Sequence, residues 1–248
     1  MNYFLLLIPV LPLIAAIVTA VLGPRVLGRH SHWPTLLALI VSAALSALLL
    51  AEVRETGEAV EVTLWKWVDL RAADTQPPLP PSVDAPAVSQ GGVRDFTIEI
   101  VLRADTLTAV MLAMVTFVSS LVAIYSVGYM QGDRGYWRFF TYFSLFVFSM
   151  TMLVSVCNFL LLYAFWEGVG VCSYLLIGFW YDKPAAAAAG KKAFLVNRVG
   201  DFGFAFALFF IWTTYGTLNF YDTDASPDNV AVAEEASLSE APVVAGVF

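Results

Sequence analysis

Charged residues are scarce in this sequence of 248 residues. Asp, Glu, Lys and Arg together make up 13% of it, roughly half their usual share in soluble globular domains. The formal net charge is −7, and no cluster of Lys and Arg is present, which argues against nucleic-acid binding. Hydrophobic residues reach 59%, so the composition excludes an ordinary soluble domain.

The residues that usually carry bond-making chemistry are also few. The two cysteines, Cys157 and Cys172, lie in apolar stretches, and their spacing matches no metal or redox motif, so we expect buried small hydrophobes. The two histidines, His30 and His32, lie in a short basic loop. There is no glycine loop for phosphate, no metal-ligand cluster and no nucleophile beside a base. We therefore expect no cofactor or metal site on this chain.

Long apolar runs dominate the sequence, and each is long enough to cross a bilayer as a helix of roughly 20 residues. The first run has no basic segment before it, so it is a spanning helix and not a signal peptide. It contains Pro9 and Pro12, which membrane helices tolerate. The predicted spans cover about residues 3–22, 33–51, 105–129, 137–156, 158–181 and 191–213.

The segment between the second and third runs differs in pattern. Residues 60–68 and 96–102 partly alternate apolar and polar side chains, which is typical of strands. Residues 71–93 between them are rich in Pro, Ala and Ser and indicate a disordered insert. The predicted fold is an all-α membrane protein of about six transmembrane helices, with a small β-hairpin in its long non-cytoplasmic loop. Its parts are helices 1–2 (1–51), the hairpin loop (52–104), helices 3–6 (105–215) and an acidic, mostly disordered tail (216–248).

The distribution of Lys and Arg predicts the orientation of the helices. Loops 1, 3 and 5 contain seven of the 13 basic residues, so we expect these loops on the cytoplasmic side. The N-terminus, the hairpin loop and the acidic tail then lie on the opposite side. The seven residues are Arg25, Arg29, Arg134, Arg138, Lys183, Lys191 and Lys192.

Three ionisable residues fall inside apolar runs: Glu167, Arg198 and Asp201. A charge at the bilayer centre costs roughly 2.5–3.5 kcal/mol on insertion scales. Glu167 and Asp201 are each about nine residues from the start of their predicted helices, which enter the membrane from opposite sides. At about 1.5 Å per residue, both carboxyls reach a depth of about 14 Å, near the middle of the membrane.

The spacing of these three residues separates their predicted roles. Arg198 and Asp201 are three residues apart on one helix face and can form an ion pair that keeps Asp201 ionised. Glu167 has no such partner on its own helix, and desolvation favours its protonated form. Gly168 and Gly170 beside it allow close helix approach or room for water. The pattern favours an ion or proton pathway, while a buried packing ion pair and a helix-anchoring hydrogen bond are the structural alternatives.

Around these residues the sequence resembles a known family. The stretch 163–180 around Trp166 and Glu167, and the stretch 192–201, which ends in Asn197-Arg198-Val199-Gly200-Asp201, are similar to the fifth- and sixth-helix motifs of subunit L (chain 5) of NADH–quinone oxidoreductase, respiratory complex I. Residues 105–108 and 216–220 resemble further segments of that family. The resemblance covers most of residues 1–220 and is most specific in helices 5 and 6.

The resemblance implies a proton-translocating subunit of the complex I membrane arm. Electron transfer from NADH to quinone would drive protons through it, with NAD, FMN, iron–sulfur clusters and quinone bound elsewhere in the complex and no redox site on this chain. Glu167 matches the family's essential helix 5 glutamate, which pairs with a lysine on helix 7, and Arg198 and Asp201 match its helix 6 coupling pair. The implied partners are other membrane-arm subunits and the lipid bilayer, in a cell inner (plasma) membrane.

The sequence departs from the family in length and in the 71–93 insert. It ends before the helix 7 lysine, so we expect a fragment or a truncated product. The alternatives are a subunit of a multi-subunit sodium–proton antiporter, a membrane subunit of an energy-converting hydrogenase, and a truncated structural product that does not pump.

Overall fold

The computed structural model describes residues 2–70, 96–215 and 217–220 of the chain. Within these ranges, six helices are long and apolar enough to cross a membrane, and one antiparallel strand pair is present, as predicted. The helices are α1 (Asn2–Leu22), α2 (His32–Thr56), α3 (Thr106–Tyr129), α4 (Tyr136–Ser155), α5 (Phe159–Ile177) and α6 (Pro184–Tyr215), and the strands are β1 (Val60–Leu70) and β2 (Phe96–Ala104).

The ends of several helices follow from local chemistry. The carboxylate of Asp105 accepts a hydrogen bond of 2.7 Å from the backbone N–H of Thr108 and caps α3, as predicted. Gly57 ends α2 in the left-handed conformation, with φ of 69°. His32 is the first residue of α2 and not a loop residue.

The start of α6 differs from its predicted position. The helix begins at Pro184 rather than near Lys191, because proline is favoured in a first helical turn and the alanines that follow are strong helix formers. Lys191 and Lys192 are therefore helical and not loop residues. Similarly, α5 ends at Ile177, several residues before the predicted end at 181.

The first four helices form a bundle to which the last two are added in order. Helix α1 packs against α2 and α4, α3 packs against α2 and α4, α5 packs on α4, and α6 packs on α5. Leu5 and Ile8 of α1, Leu49 and Val53 of α2 and Leu112 of α3 form part of a fully buried apolar cluster. Helices α5 and α6 are mostly exposed within the described part of the chain.

The predicted hairpin is present. Strands β1 and β2 pair antiparallel, with irregularities in register between Thr63 and Trp65 and between Lys66 and Val68. Glu61 and Arg103 lie opposite each other, and their side chains form an ion pair of 2.6 Å. The proposed insert at 71–93 lies outside the described residues.

The connections between helices gather at two ends of the bundle. Residues of the first and third connections line one cavity, which includes Arg29 and Arg134, and residues of the third and fifth line another. At the opposite end, Leu102 of β2 forms a backbone bridge with Val156, which lies between α4 and α5. The odd-numbered connections therefore lie at one end of the bundle and the even-numbered ones at the other, as expected for helices that cross a membrane in alternating directions.

The segment that follows α6 is partly ordered. Asn219 forms an antiparallel bridge with Asn158, and the backbone N–H of Phe159 donates to the carbonyl of Leu218 at 2.9 Å. The ring of Phe220 lies edge-on to that of Phe159. Residues 217–220 are therefore held against the start of α5, and the rest of the acidic tail, for which disorder was predicted, lies outside the described residues.

Candidate functional site

Helices α5 and α6 bring the three predicted intramembrane residues together. The Arg198 guanidinium donates through Nη1 to Glu167 Oε1. The same nitrogen lies 3.8 Å from Asp201 Oδ2. Because one guanidinium contacts both carboxylates, Glu167 and Asp201 lie at similar heights on their two helices, as the sequence predicted.

Arg198 makes one contact that the sequence predicted and a second that it did not. The Arg198–Asp201 pair within α6 is present, but Arg198 lies closer to Glu167 on the neighbouring helix. The spacing of residues within one helix predicts pairs along that helix. It does not give the register of two helices against each other, so the sequence did not indicate the contact between Arg198 and Glu167.

The three side chains are buried to different extents. The Asp201 side chain is 8% exposed, that of Glu167 21% and that of Arg198 35%. A buried carboxylate requires hydrogen-bond donors or a cation to replace its lost hydration. Arg198 provides the cation, and its guanidinium also packs on the ring of Phe194, 4.8 Å from the ring centroid.

Trp166 is a member of the site that the sequence did not single out for a role. Its indole N–H donates to Asp201 Oδ1 at 2.9 Å. Its ring also lies edge-on to that of Phe204, with the centroids 6.1 Å apart. Its position directly before Glu167 could have drawn attention to Trp166. Nothing in the sequence indicated that its side chain contacts Asp201 on the other helix.

The two glycines after Glu167 have different surroundings. A Cβ atom on Gly168 would lie 3.0 Å from Ser149 Oγ of α4, so this glycine permits close contact between α4 and α5. A Cβ atom on Gly170 would meet nothing within 4 Å. Gly170 instead lines an open cavity of about 770 Å³ beside the site. The sequence suggested that these glycines allow close approach of two helices or leave room for water. Gly168 does the first, and Gly170 borders the open space.

The cavity beside Gly170 reaches the charged site. Trp166 and Asp201 lie on its wall, together with the polar side chains of Ser173 and Asn197. A volume of this size holds many waters, since one water occupies about 30 Å³ in the liquid. The Asp201 carboxylate therefore borders open space on one side.

The arrangement supports charge movement more directly than bond-making chemistry. Two carboxylates share one guanidinium, so protonation of either one changes how strongly Arg198 is held by the other. Among the described residues, no group of three His, Cys, Asp or Glu side chains could hold a metal ion. The site is therefore best described as two carboxylates with one positive charge between them.

Two family models match the chain. Residues 92–140 match the N-terminal segment of chain 5 of NADH–ubiquinone oxidoreductase, complex I. Residues 156–247 match the transmembrane domain shared by NADH:quinone oxidoreductases and Mrp antiporters. The second match includes all three charged residues of the site.

Curated relatives carry consistent names. The NADH-quinone oxidoreductase subunit L of Rickettsia typhi is 37% identical over 88% of this chain and 30% of its own length. Subunit L of Escherichia coli is 46% identical over 68% of this chain and 27% of its own length, and NADH-ubiquinone oxidoreductase chain 5 of Metridium senile is 38% identical over 87% and 32%. The chain thus spans about a third of the length of these relatives.

Solved structures share the fold. A chain of the membrane-bound sulfane sulfur reductase, an archaeal respiratory membrane complex, superposes with a TM-score of 0.68 at 20% identity, over 94% of this chain and 42% of its own. A chain of the Mrp complex from a Dietzia species superposes with a TM-score of 0.64 at 19% identity, over 94% and 22%. At these identities the likeness concerns the fold alone.

Proposed function

Because this chain belongs to the family of antiporter-like membrane subunits called subunit L or chain 5 of NADH–quinone oxidoreductase, and matches its N-terminal portion, we propose that it contributes to proton translocation in such a complex. Electron transfer from NADH to quinone would supply the energy. The observation that carries the proposal is the charged network of Glu167, Arg198 and Asp201 between two membrane-spanning helices.

In this proposal Glu167 is the proton carrier. When Glu167 is ionised, the Arg198 guanidinium neutralises it. When Glu167 is protonated, it loses most of its attraction for Arg198, which can then turn to Asp201, 3.8 Å away. Asp201 thus acts as the alternative partner that biases the state of Glu167. Protonation of Glu167 and movement of Arg198 stay coupled, because an unpaired charge in the membrane is costly.

The redox chemistry is proposed to lie elsewhere in the complex. No redox site is assigned to this chain, and NAD, FMN, iron–sulfur clusters and quinone would be held by other subunits. Other membrane-arm subunits and the lipid bilayer are the proposed partners. The exposed surfaces of α5 and α6 offer room for the remainder of the subunit and for those partners.

The proposed location is a cell inner (plasma) membrane, spanned several times. The end of the bundle with the first, third and fifth connections would face the cytoplasm, because it carries Arg25, Arg29 and Arg134. The N-terminus, the hairpin and the segment after α6 would face the opposite side.

A subunit of a sodium–proton antiporter is the second candidate, since the Mrp complex shares the fold. The identity to that chain is 19%, against 37% to the Rickettsia subunit L. The Asn197-Arg198-Val199-Gly200-Asp201 stretch also favours the complex I subunit. A third candidate, a structural subunit that does not pump, makes a different prediction for the variant described next.

Replacement of Glu167 by glutamine tests the proposal. In the assembled complex, Glu167→Gln removes the exchangeable proton but keeps the size of the side chain, so we expect proton pumping to fall at least tenfold. The measurement is the pH change in sealed vesicles per NADH oxidised, with assembly checked by gel electrophoresis. Glu61→Gln is the matched control, because Glu61 lies in the exposed hairpin and pairs with Arg103.

The possible outcomes separate the candidates. Normal pumping per electron in an assembled Glu167→Gln complex would contradict the proposed function. Loss of assembly, with no pumping defect in the complexes that do form, would support the structural candidate. A sodium flux in place of a proton flux in the unmodified complex would favour the antiporter.

A further inference from the structure

Trp166 and Glu167 are neighbours in sequence, but they contact different residues of α6. Successive side chains of a helix project about 100° apart, so α5 can present both of them to α6. Glu167 accepts from Arg198, and Trp166 donates to Asp201 at 2.9 Å. Each carboxylate of the site is therefore contacted from the opposite helix.

The contact between Trp166 and Asp201 matters because the site has more carboxylates than cations. Among the described residues, these two carboxylates face one guanidinium, and the more buried of the two, Asp201, is the one that Arg198 contacts less closely. Trp166 donates a hydrogen bond of 2.9 Å to Asp201, whereas Arg198, at 3.8 Å, is too far away to do so. A buried anion without partners is strongly disfavoured. Without the Trp166 donor, the Asp201 carboxylate, which is 8% exposed, would therefore need a closer contact with the Arg198 guanidinium.

We propose that Trp166 is a positioning residue whose indole N–H holds Asp201 in place and thereby leaves Arg198 available to Glu167. This inference rests on the proposed proton-translocating function of the site. The indole N–H suits the role because it donates a hydrogen bond, accepts none and does not titrate. The donor is present at every pH, and it adds no second positive charge that would repel Arg198.

The packing of the indole supports this assignment. The ring lies edge-on to that of Phe204, with the planes at 86°. Phe204 follows Asp201 by three residues on α6, so it lies on the same face of that helix. The aromatic contact therefore fixes the ring that donates to Asp201. Trp166, Asp201 and Phe204 all line the same cavity of about 770 Å³.

The test removes the donor and keeps the ring. Benzothienylalanine has the shape of tryptophan with sulfur in place of the N–H group, so its incorporation at position 166 of the full-length subunit in the assembled complex deletes the bond to Asp201. We expect a roughly tenfold fall in proton pumping at unchanged assembly, the usual effect of losing one hydrogen bond to a charged group. The same replacement at Trp180, whose indole donates to Asp133 outside the site, is the control and should leave pumping unchanged.

A double-variant cycle separates positioning from packing. In an Asp201→Ala background the replacement at position 166 should have no further effect, because Trp166 acts through Asp201. An equal fall in pumping in both backgrounds, or no fall at all in the unmodified background, would overturn the inference. Glu167→Gln is measured in the same assay. If it lowers pumping but the replacement at position 166 does not, only this inference fails; if Glu167→Gln also has no effect, the proposed function fails.

Discussion

Gly168 and Gly170 are two residues apart on α5, and substitution should affect them in opposite directions. An alanine methyl at position 168 would press on Ser149 Oγ at 3.0 Å and on its Cβ at 3.4 Å. At position 170 it would enter open space. We expect Gly168→Ala to destabilise the helix pair by about 1 kcal/mol or more. We expect Gly170→Ala to be neutral or to stabilise it by up to about 1 kcal/mol.

Thermal denaturation of the purified protein in detergent measures this difference, and each glycine variant is the control for the other. Equal midpoints for Gly168→Ala and Gly170→Ala would show that Ser149 moves aside without cost, which would contradict the tight contact between α4 and α5.

Asp105 makes a second prediction at the residue scale. The N–H of Thr108 holds the pKa of the Asp105 carboxyl below its ordinary value of 3.8. A group whose pKa is lowered on folding stabilises the fold above its ordinary pKa, and this contribution is lost as the pH falls through the lowered pKa. Asp105→Ala should therefore destabilise α3 by about 1 kcal/mol near neutral pH, and by less at pH values below 3.8.

Denaturation midpoints measured from neutral to acidic pH provide the test. Asp182→Ala is the control, because Asp182 is an exposed aspartate in the turn before α6. A penalty for Asp105→Ala that stays constant down to the most acidic pH would contradict the capping explanation.

At the scale of elements, α6 is longer than the membrane is thick. Its 32 residues extend about 48 Å at 1.5 Å per residue, against a hydrocarbon core of about 30 Å. The helix must therefore tilt or extend beyond the core. Its alanine-rich first turns, before Lys191, are suited to water-exposed helix because they depend on helix propensity and not on apolar packing.

The segment after α6 fastens that helix to the start of α5. The amide Nδ2 of Asn158 donates to Asn219 Oδ1 at 2.6 Å, while Asn158 Oδ1 caps α5 by accepting from the N–H of Leu160. Asn158→Ala loses both bonds and should cost about 2 kcal/mol, and Asn219→Ala loses one and should cost about 1 kcal/mol. Chemical denaturation measures the loss of stability in each variant. A larger loss for Asn219→Ala than for Asn158→Ala would contradict this explanation.

At the scale of the whole molecule, the two ends of the bundle predict opposite accessibility. Single cysteines introduced at Arg134 and at Glu58, both exposed, lie at opposite ends. In sealed vesicles with the cytoplasmic face outward, a membrane-impermeant maleimide should label the cysteine of Arg134→Cys and not that of Glu58→Cys. The reverse labelling would overturn the proposed orientation.

The native cysteines should not interfere with this experiment. Cys157 and Cys172 are both buried, in agreement with the sequence prediction. Burial raises the pKa of the Cys157 thiol to about 11, so little reactive thiolate is present at neutral pH. The unmodified chain, which retains both, is the control for background labelling.

The sequence predicted those features that depend on local pattern. Six spans, the hairpin and the Asp105 cap follow from apolar run length, period-two alternation and the chemistry of a helix start, and all three are present. The start of α6 was misplaced because apolar run length was used where alanine propensity decides. The cross-helix contacts of Arg198 and Trp166 depend on how α5 and α6 are set against each other, which is not encoded in the spacing along either helix.

The functional site holds an odd number of charges, and this parity has a consequence. With Arg198 positive and both carboxylates ionised, the site has a net charge of −1, so it is neutral only when it holds one extra proton. In the proposed function this proton lies on Glu167, and Arg198 then pairs with Asp201. Arg198 Nη1 lies 3.8 Å from Asp201 Oδ2, so it has to move by only about 1 Å to form a charge-assisted hydrogen bond of about 2.8 Å with that carboxylate. The proposed proton transfer would therefore require the rotation of one side chain, with both helices fixed.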